Sequence, residues 1–345
     1  MRRRQLFPLG LAAAAPGLAR ADLAQCVAPA KAGGGFDMTC QLVQALLATP
    51  AGRPRIVYQP GGIGALTYRE VVRGQRTEPR ELIAFSSGTL LNIAQGRFGP
   101  WQPERIRWIA ALALDHGVVA VRANAPWRSL NELLEALRRQ PSAVAFAAGG
   151  TIGSQDWMKA ALLARAAGVS HKALRVVAFE GGGDALRALE GGHVDVLCGD
   201  AAELSARLAD RRADRQADRL ADRQAARRAG APPDRPTGVR LLATLSPTRL
   251  ADRLAEVPTA DEQGVALRWP ILRGVYTSAD YPEAERAALT ARIATALQSP
   301  AHAARVRAGG LMPLALTGEP LAQEVDHQLR ALRGLAEDFG LLVKR

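Results

Sequence analysis

A run of three glycines followed by an acid, in the stretch AKAGGGFDMTC at residues 30–40, is the first place where residue types suggest chemistry. Apolar residues at 38, 42, 43, 46 and 47 have the spacing of a helix face, so the glycines should lie at a helix N-terminus. Free N–H groups and the helix dipole favour an anion there, and glycine allows its close approach. A plain tight turn is the alternative interpretation.

Several short apolar runs later in the chain also end in small, hydroxyl or acidic residues. ELIAF is followed by SSGTLLN, AVAFA by AGGTIGSQD, RVVAF by EGGGDAL, and VDVLC by GDAAE. In open α/β sheets, ligands bind in the crevice outside the carboxyl ends of the strands. The first glycine loop should therefore be joined by several other loops around one ligand.

The sequence patterns of metal sites, nucleotide sites and serine hydrolases are missing. The five histidines have no metal-ligand spacing, the three cysteines form no C-x-x-C pair, and no glycine loop continues as G-K-[ST] or as G-x-G-x-x-G. Ser154 lies in GTIGSQ, which is not the G-x-S-x-G nucleophile elbow. We therefore predict no metal, no cofactor and no catalytic residue.

Acids and cysteines beside the glycine loops have structural interpretations. Asp37 and Asp184 should cap helix N-termini by accepting backbone N–H bonds, which leaves other donors for a ligand. Cys26 and Cys40 flank the first loop and could form a disulfide in an exported protein. Three reduced core thiols, including Cys198, are the alternative.

The N-terminus and the location of the net charge limit where the protein works. The sequence MRRRQLFPLGLAAAAPGLARA has an arginine cluster, an apolar run and an Ala-Arg-Ala cleavage site, so residues 1–21 are predicted to be a secretory signal peptide. The formal net charge is +12, but residues 1–21 and 207–235 contribute +8 of it. The remainder has no basic cluster interleaved with aromatics, which argues against a nucleic-acid partner.

Apolar runs alternate with helical patterns, which predicts an α/β fold with largely parallel sheets. The predicted strands are 26–29, 55–59, 81–87, 118–123, 143–149, 175–181, 194–200 and 239–246, and the predicted helices include 38–49, 129–139 and 155–167. A four-residue arginine–aspartate repeat at 209–224 has no large apolar face. The segment at about 205–236 is therefore predicted to be a solvated or disordered insertion without a ligand role, and a partner-binding arm is the alternative.

The motifs quoted above, together with QPGGIGALTY and GGTIGSQDWMKAALLARAAGV, resemble those of the periplasmic solute-binding receptors of tripartite tricarboxylate transporters, of the tricarboxylate-binding type. The resemblance implies a two-lobed α/β periplasmic binding-protein fold, a type II-like Venus flytrap with a ligand cleft between the lobes. It also implies a periplasmic, monomeric and non-catalytic receptor that delivers an organic acid to membrane permease subunits. The arginine–aspartate repeat has no counterpart in this resemblance.

The resemblance also implies where the ligand binds. A ligand carboxylate should be held by backbone N–H groups and ordered waters near the first glycine loop, with other contacts from the second lobe. The implied residues are Gly34, Gly35, Phe36 and Asp37, then Ser86, Ser87, Gly88 and Thr89, then Gly150, Thr151, Gly153 and Ser154, and more weakly Gly182, Gly183, Asp184 and Asp200. Arg273 is a further candidate, either as a cation for a second carboxylate or as a surface charge.

The first lobe is predicted to contain residues 24–122 and 246–345, and the second lobe residues 123–245. A citrate-like acid is the first choice of ligand, followed by C4 and aromatic acids. A ligand-sensing module for a membrane signalling partner and a lyase or hydrolase for organic acids on the same fold are the alternative functions. An enzyme would need a histidine or a strongly perturbed carboxylate in the cleft, whereas a receptor needs only donors.

Overall fold

The computed structural model describes residues 25–343, except 51, 77–79, 98, 100–101 and 208–237. The predicted signal peptide and the arginine–aspartate repeat lie outside the described residues. In the part that is described, no helix is both long enough and apolar enough to cross a bilayer.

The described strands are β1 (Gln25–Ala28), β2 (Arg55–Tyr58), β3 (Glu81–Ser86), β4 (Ile106–His116), β5 (Val118–Arg122), β6 (Ala145–Gly149), β7 (Arg175–Phe179), β8 (Val196–Leu197), β9 (Val239–Thr244), β10 (Pro270–Ser278) and β11 (Met312–Thr317). They form two sheets with the orders β11-β4-β10-β3-β1-β2 and β7-β6-β8-β5-β9. Each sheet is the centre of one lobe.

The helices of the described part pack on these sheets. They are α1 (Gly35–Leu47), α2 (Ala65–Val72), α3 (Ser87–Ala94), α4 (Leu130–Arg139), α5 (Gln155–Ala166), α6 (Gly182–Glu190), α7 (residues 201–207), α8 (Glu283–Leu297), α9 (Pro300–Ala308) and α10 (Gly318–Asp338). The predicted α/β fold is therefore confirmed, and the predicted helices at 38–49, 129–139 and 155–167 correspond to α1, α4 and α5.

The expectation of largely parallel sheets is wrong. Parallel pairs join β1 to β2 and β3, and β6 to β7 and β8. The pairs that involve β4, β5, β9, β10 and β11 are antiparallel. The long strands β4 and β10 are nearly continuously buried, so their sequences lack the alternation that marks a half-buried strand.

The chain passes between the lobes at Gly117, which separates β4 of the first sheet from β5 of the second. Its N–H donates to the Trp269 carbonyl at 2.9 Å, and its carbonyl accepts from the Leu245 N–H at 2.7 Å. Leu245 and Trp269 belong to the return connection from β9 to β10, so the two crossings are hydrogen-bonded to each other. Residues 118–122, predicted for the first lobe, form a strand of the second sheet.

The beginning of the first lobe is tied together covalently. Cys26 in β1 and Cys40 in α1 form a disulfide with a Cα–Cα distance of 5.6 Å, and Cys198 is a buried free thiol. Both half-cystines lie in an apolar cluster with Phe36, Leu82 and other side chains of the first sheet. The disulfide therefore fixes the strand that enters the first glycine loop to the helix that leaves it.

Candidate functional site

The first glycine loop ends in α1, whose N-cap residue is Gly34. The N–H of Gly35 donates to Oε1 of Glu203 at 2.9 Å. A Cβ atom on Gly34 would lie 3.1 Å from the same oxygen, and a Cβ atom on Gly35 would overlap the guanidinium of Arg273. Charged side chains from other elements therefore approach the backbone at both glycines, and a larger residue at Gly35 would force the Arg273 guanidinium to move.

Asp37 and Phe36 hold this loop in place from inside the first lobe. Asp37 is buried, and its carboxylate accepts the N–H of Gly33 at 2.8 Å and the hydroxyl of Tyr58 at 2.9 Å. Asp37 thus accepts a backbone N–H bond as predicted, from the loop that precedes the helix. Phe36 packs into the apolar cluster beneath the loop.

The second predicted loop starts α3, and its hydroxyl groups are bonded within the first lobe. Ser86 accepts the N–H of Gly88 at 3.2 Å, while Thr89 accepts the N–H of Ser86 at 3.4 Å, which forms a capping box. Ser87 accepts the N–H of Leu272 at 2.8 Å and donates to another side chain, Gln328, at 2.7 Å. These hydroxyls fix the helix end rather than projecting freely.

The third predicted loop, between β6 and α5, reaches across to the first lobe. Gly150 and Gly153 have φ angles of +123° and +86°, which favour glycine. Gln95 donates to the Gly153 carbonyl at 2.7 Å, and Arg97 donates to the hydroxyl of Thr151 at 3.1 Å. Ser154 is the buried N-cap of α5 and accepts the Trp157 N–H at 3.4 Å.

The fourth predicted loop starts α6 in the second lobe. A Cβ atom on Gly182 would overlap the carboxylate of Glu203, whereas a Cβ atom on Gly183 would have its nearest neighbour at 3.8 Å. Among the described residues no backbone N–H donates to Asp184, whose hydrogen-bond partner is the Arg187 side chain, so the predicted capping role is wrong. Its carboxylate pairs with Arg187, one turn later on the exposed helix surface.

A buried charged cluster lies beneath these loops. It contains the buried residues Asp115, Asp156, Lys159, Asp200 and Arg273, and the half-buried Glu203 at its edge. Arg273 donates to Asp115 and, at 3.0 Å, to Asp200. Lys159 lies 2.9 Å from Asp200 and 3.0 Å from Asp156. The interpretation of Arg273 as a surface charge is wrong, because its side chain is 2% exposed and is paired with the buried carboxylates of Asp115 and Asp200.

The pKa values in the cluster follow from burial and from these partners. Burial alone would raise the pKa of Asp200, but the Lys159 and Arg273 cations together hold it below its ordinary value. Burial and the nearby Asp200 carboxylate raise the pKa of Glu203 to about 7. Among the described carboxyls, Glu203 is therefore one that changes protonation near neutral pH.

The structure brings only part of the predicted set together. Gly34, Gly35, Gly182, Asp200 and Arg273 surround Glu203, and Gly88 faces Gln155 across the cleft. Sequence reasoning missed Asp115, Asp156, Lys159 and Glu203. Glu203 had a visible signal, since it ends the GDAAE stretch after a predicted strand. Asp156 and Lys159 had the i,i+3 spacing of a helix ion pair.

Two α/β lobes that are joined by paired crossings and meet at glycine loops define a periplasmic binding-protein fold. Solved structures agree. An R. palustris protein with adipate has a TM-score of 0.76 and 18% identity, with coverage of 93% of this chain and 98% of that one. MatC from Rhodopseudomonas palustris with bound malate has a TM-score of 0.70 and 22% identity, with coverage of 91% and 99%.

Sequence comparison matches part of the chain to a family model. Residues 97–237 match the model of the tripartite tricarboxylate transporter family receptor. A protein from Pseudomonas sp. (strain P51), described as a UPF0065 protein in the tcbD-tcbE intergenic region, is 25% identical over 173 residues, which is half of this chain and half of that relative. The resemblance to these solute receptors that was inferred from the motifs is therefore confirmed.

Proposed function

We propose that this protein is an extracytoplasmic receptor that binds a small di- or tricarboxylate between its lobes. The observation that carries this proposal is the Glu203 carboxylate at the N-terminus of α1. Its bond to the Gly35 N–H indicates that this helix end favours a carboxylate, and the dipole of α1 adds to the attraction. A ligand carboxylate would use the same donor.

The proposed ligand contacts are the four predicted loops around this point. Backbone N–H groups of Gly34 to Asp37 and of Gly182 to Asp184 would hold one carboxylate from opposite lobes. The loop from Gly150 to Ser154 and the start of α3 would close over the remainder. The adipate and malate bound by the two structural relatives make dicarboxylates as suitable for testing as citrate.

The proposal extends to transport. After removal of residues 1–21 the receptor would act in the periplasm as a monomer, and it would deliver the acid to the permease subunits of a tripartite tricarboxylate transporter. The match of residues 97–237 to the tripartite tricarboxylate transporter family receptor supports this step.

A melting-temperature panel at pH 6.5 tests the ligand class. Citrate, malate and adipate are compared with glucose and lysine, each against the chain from Asp22 onward. A ligand at a hundred times its dissociation constant should add roughly 2.7 kcal/mol to the free energy of unfolding. We expect a rise with at least one of the acids and none with glucose or lysine. A rise with glucose alone would contradict the carboxylate proposal.

An enzyme that acts on organic acids is the second candidate. Such an enzyme would need a carboxyl group with a perturbed pKa, and Glu203 has a raised pKa. Its bonded neighbour is a backbone N–H rather than a histidine or hydroxyl group. Proton NMR of citrate and malate incubated with the protein separates the two functions. A receptor returns both acids unchanged, whereas a new product signal would establish catalysis.

A further inference from the structure

The carboxylate of Glu203 stands between the two lobes. Glu203 lies on α7, which follows β8 of the second sheet, yet its Oε1 accepts the Gly35 N–H of the first lobe at 2.9 Å. Its other oxygen lies so close to Gly182 that a Cβ atom there would overlap it. One side chain thus touches the helix starts of α1 and α6, where the proposed ligand carboxylate would bind.

The charge of the cluster makes this position unfavourable for a second anion. Four carboxyl groups share two cations, and the close contacts of Arg273 and Lys159 go to Asp115, Asp156 and Asp200. Within the part of the chain that the structure describes, Glu203 forms no ion pair. Both cations of the cluster already have carboxylate partners, so an ionised Glu203 would repel a ligand carboxylate at this position.

We infer that Glu203 determines ligand specificity by occupying, with its own carboxylate, the position of a ligand carboxylate at the N-terminus of α1. This inference rests on the proposed receptor function. A dicarboxylate must either displace the ionised Glu203 or bind when Glu203 is neutral, so the residue selects against weak carboxylate ligands. A neutral Glu203 can also donate to the incoming carboxylate.

The inference predicts the direction in which ligand affinity changes with pH, because that direction depends on the protonation of Glu203. Burial, Asp200 and Asp156 raise the pKa of Glu203, while Arg273 and the Gly35 N–H lower it, and the balance lies at about 7. On β4, Asp115 is paired with Arg273, and burial lowers the pKa of His116 to about 4, so that His116 stays neutral above pH 6. On α5, Lys159 stays charged because its carboxylate partners raise its pKa despite burial.

The neutral fraction of Glu203 falls roughly tenfold between pH 6 and pH 8 for a pKa of about 7. The apparent dissociation constant for malate should therefore rise about tenfold over that interval. Calorimetry at pH 8 in two buffers of different ionisation enthalpy should show close to one proton taken up per malate bound. Both measurements use the unaltered protein, so they do not depend on whether a variant folds.

Substitution isolates the residue. Glu203→Gln should bind malate about tenfold more tightly than the parent protein at pH 8, with little change between pH 6 and pH 8. Glu203→Ala, which also frees the Gly35 N–H, should gain at least as much. Glu135→Gln removes an exposed carboxylate on α4 and should keep the parent pH dependence. Melting temperatures establish that each variant is folded.

Two results would overturn the inference while leaving the receptor function standing: malate affinity that does not change between pH 6 and pH 8, or a Glu203→Gln variant within twofold of the parent at pH 8. A third result would contradict both the receptor function and the inference about Glu203. If no carboxylate of the panel binds the parent protein or either Glu203 variant at any pH, the proposed function is wrong and the inference is wrong with it.

Discussion

The starts of α1 and α6 have nearly the same sequence but different structural roles. In each, a glycine is the N-cap, another glycine is the first helical residue, and an aspartate is the third. Asp37 of α1 is 4% exposed and binds its own loop and Tyr58. Asp184 of α6 pairs instead with Arg187 on the surface.

The difference comes from what covers each loop. Tyr58 on β2 lies beside the first loop and donates to Asp37, so that carboxylate is fixed between two donors. At the start of α6 no tyrosine plays this part among the described residues. The carboxylate of Asp184 pairs with Arg187 on the next helical turn and lies 3.9 Å from the Lys31 ammonium group of the first loop. A nearly identical local motif thus sets the position of backbone donors, while tertiary neighbours decide what the acid does.

The largest expected effect on the free energy of unfolding is the difference between alanine substitutions at Gly35 of α1 and at Gly183 of α6. Gly35→Ala places a methyl group where the Arg273 guanidinium lies, and moving that guanidinium disturbs a buried ion pair, so the free energy of unfolding should fall by about 3 kcal/mol. Gly183→Ala meets no close neighbour inside α6 and should be neutral or stabilising by up to about 1 kcal/mol. Urea unfolding at pH 7 measures both.

The comparison would fail if the free energy of unfolding of Gly35→Ala lay within about 1 kcal/mol of that of the parent protein, because the Arg273 guanidinium would then move aside at little cost. A destabilised Gly183→Ala variant would show that α6 is more closely packed than its surroundings indicate. The limits of about 1 kcal/mol correspond to helix propensity alone.

Most of the fold was accessible from the sequence, but the strand directions were not. Short apolar runs ending in glycine correctly located β3, β6 and β7. β4 and β10 pair with each other over nine positions through sequence-distant segments, and no local pattern encodes that pairing. Mixed sheets therefore arise from long-range contacts that a pass along the chain does not show.

The sequence predicted the backbone loops of the candidate site but not its buried charged side chains. Glycine spacing found the starts of α1 and α6, since close approach leaves a residue-type signal. Glu203 and Asp115 gave a much weaker signal. They lie 88 positions apart in the sequence, and the Arg273 that pairs with Asp115 comes from a third, distant segment. A buried ion network has no sequence period, so most of its members were missed, and Arg273 was a candidate only as a ligand-binding cation or a surface charge.

The next effect, smaller in size, tests the two aspartates. Asp37→Ala removes a buried acceptor from two donors and should lower the free energy of unfolding by about 2 kcal/mol. Asp184→Ala removes an exposed pair and should change it by less than about 0.5 kcal/mol. Both values come from urea unfolding at pH 7. Asp37→Asn, which keeps the shape and one acceptor oxygen, should fall between them.

Equal losses for the two alanine variants would contradict the view that neighbours decide the role of the acid. A reversed order would indicate that Asp184 caps α6 in solution, as the sequence alone predicted.

The smallest expected effect concerns the rim where the two loops face each other. Lys31 of the first loop pairs with Glu180 of the fourth, and both side chains are more than half exposed. An exposed pair contributes little to stability and is screened by salt, so Lys31→Ala should leave urea unfolding unchanged. Because the pair bridges the lobes, the variant should bind malate about twofold more weakly at low salt and equally at 0.5 M NaCl. Lys172→Ala, which removes an exposed lysine of the second lobe, controls for the change in net charge. A loss greater than fivefold that persists in high salt would mean that Lys31 contacts the ligand directly, and the first loop would then bind by a side-chain cation as well as by its backbone.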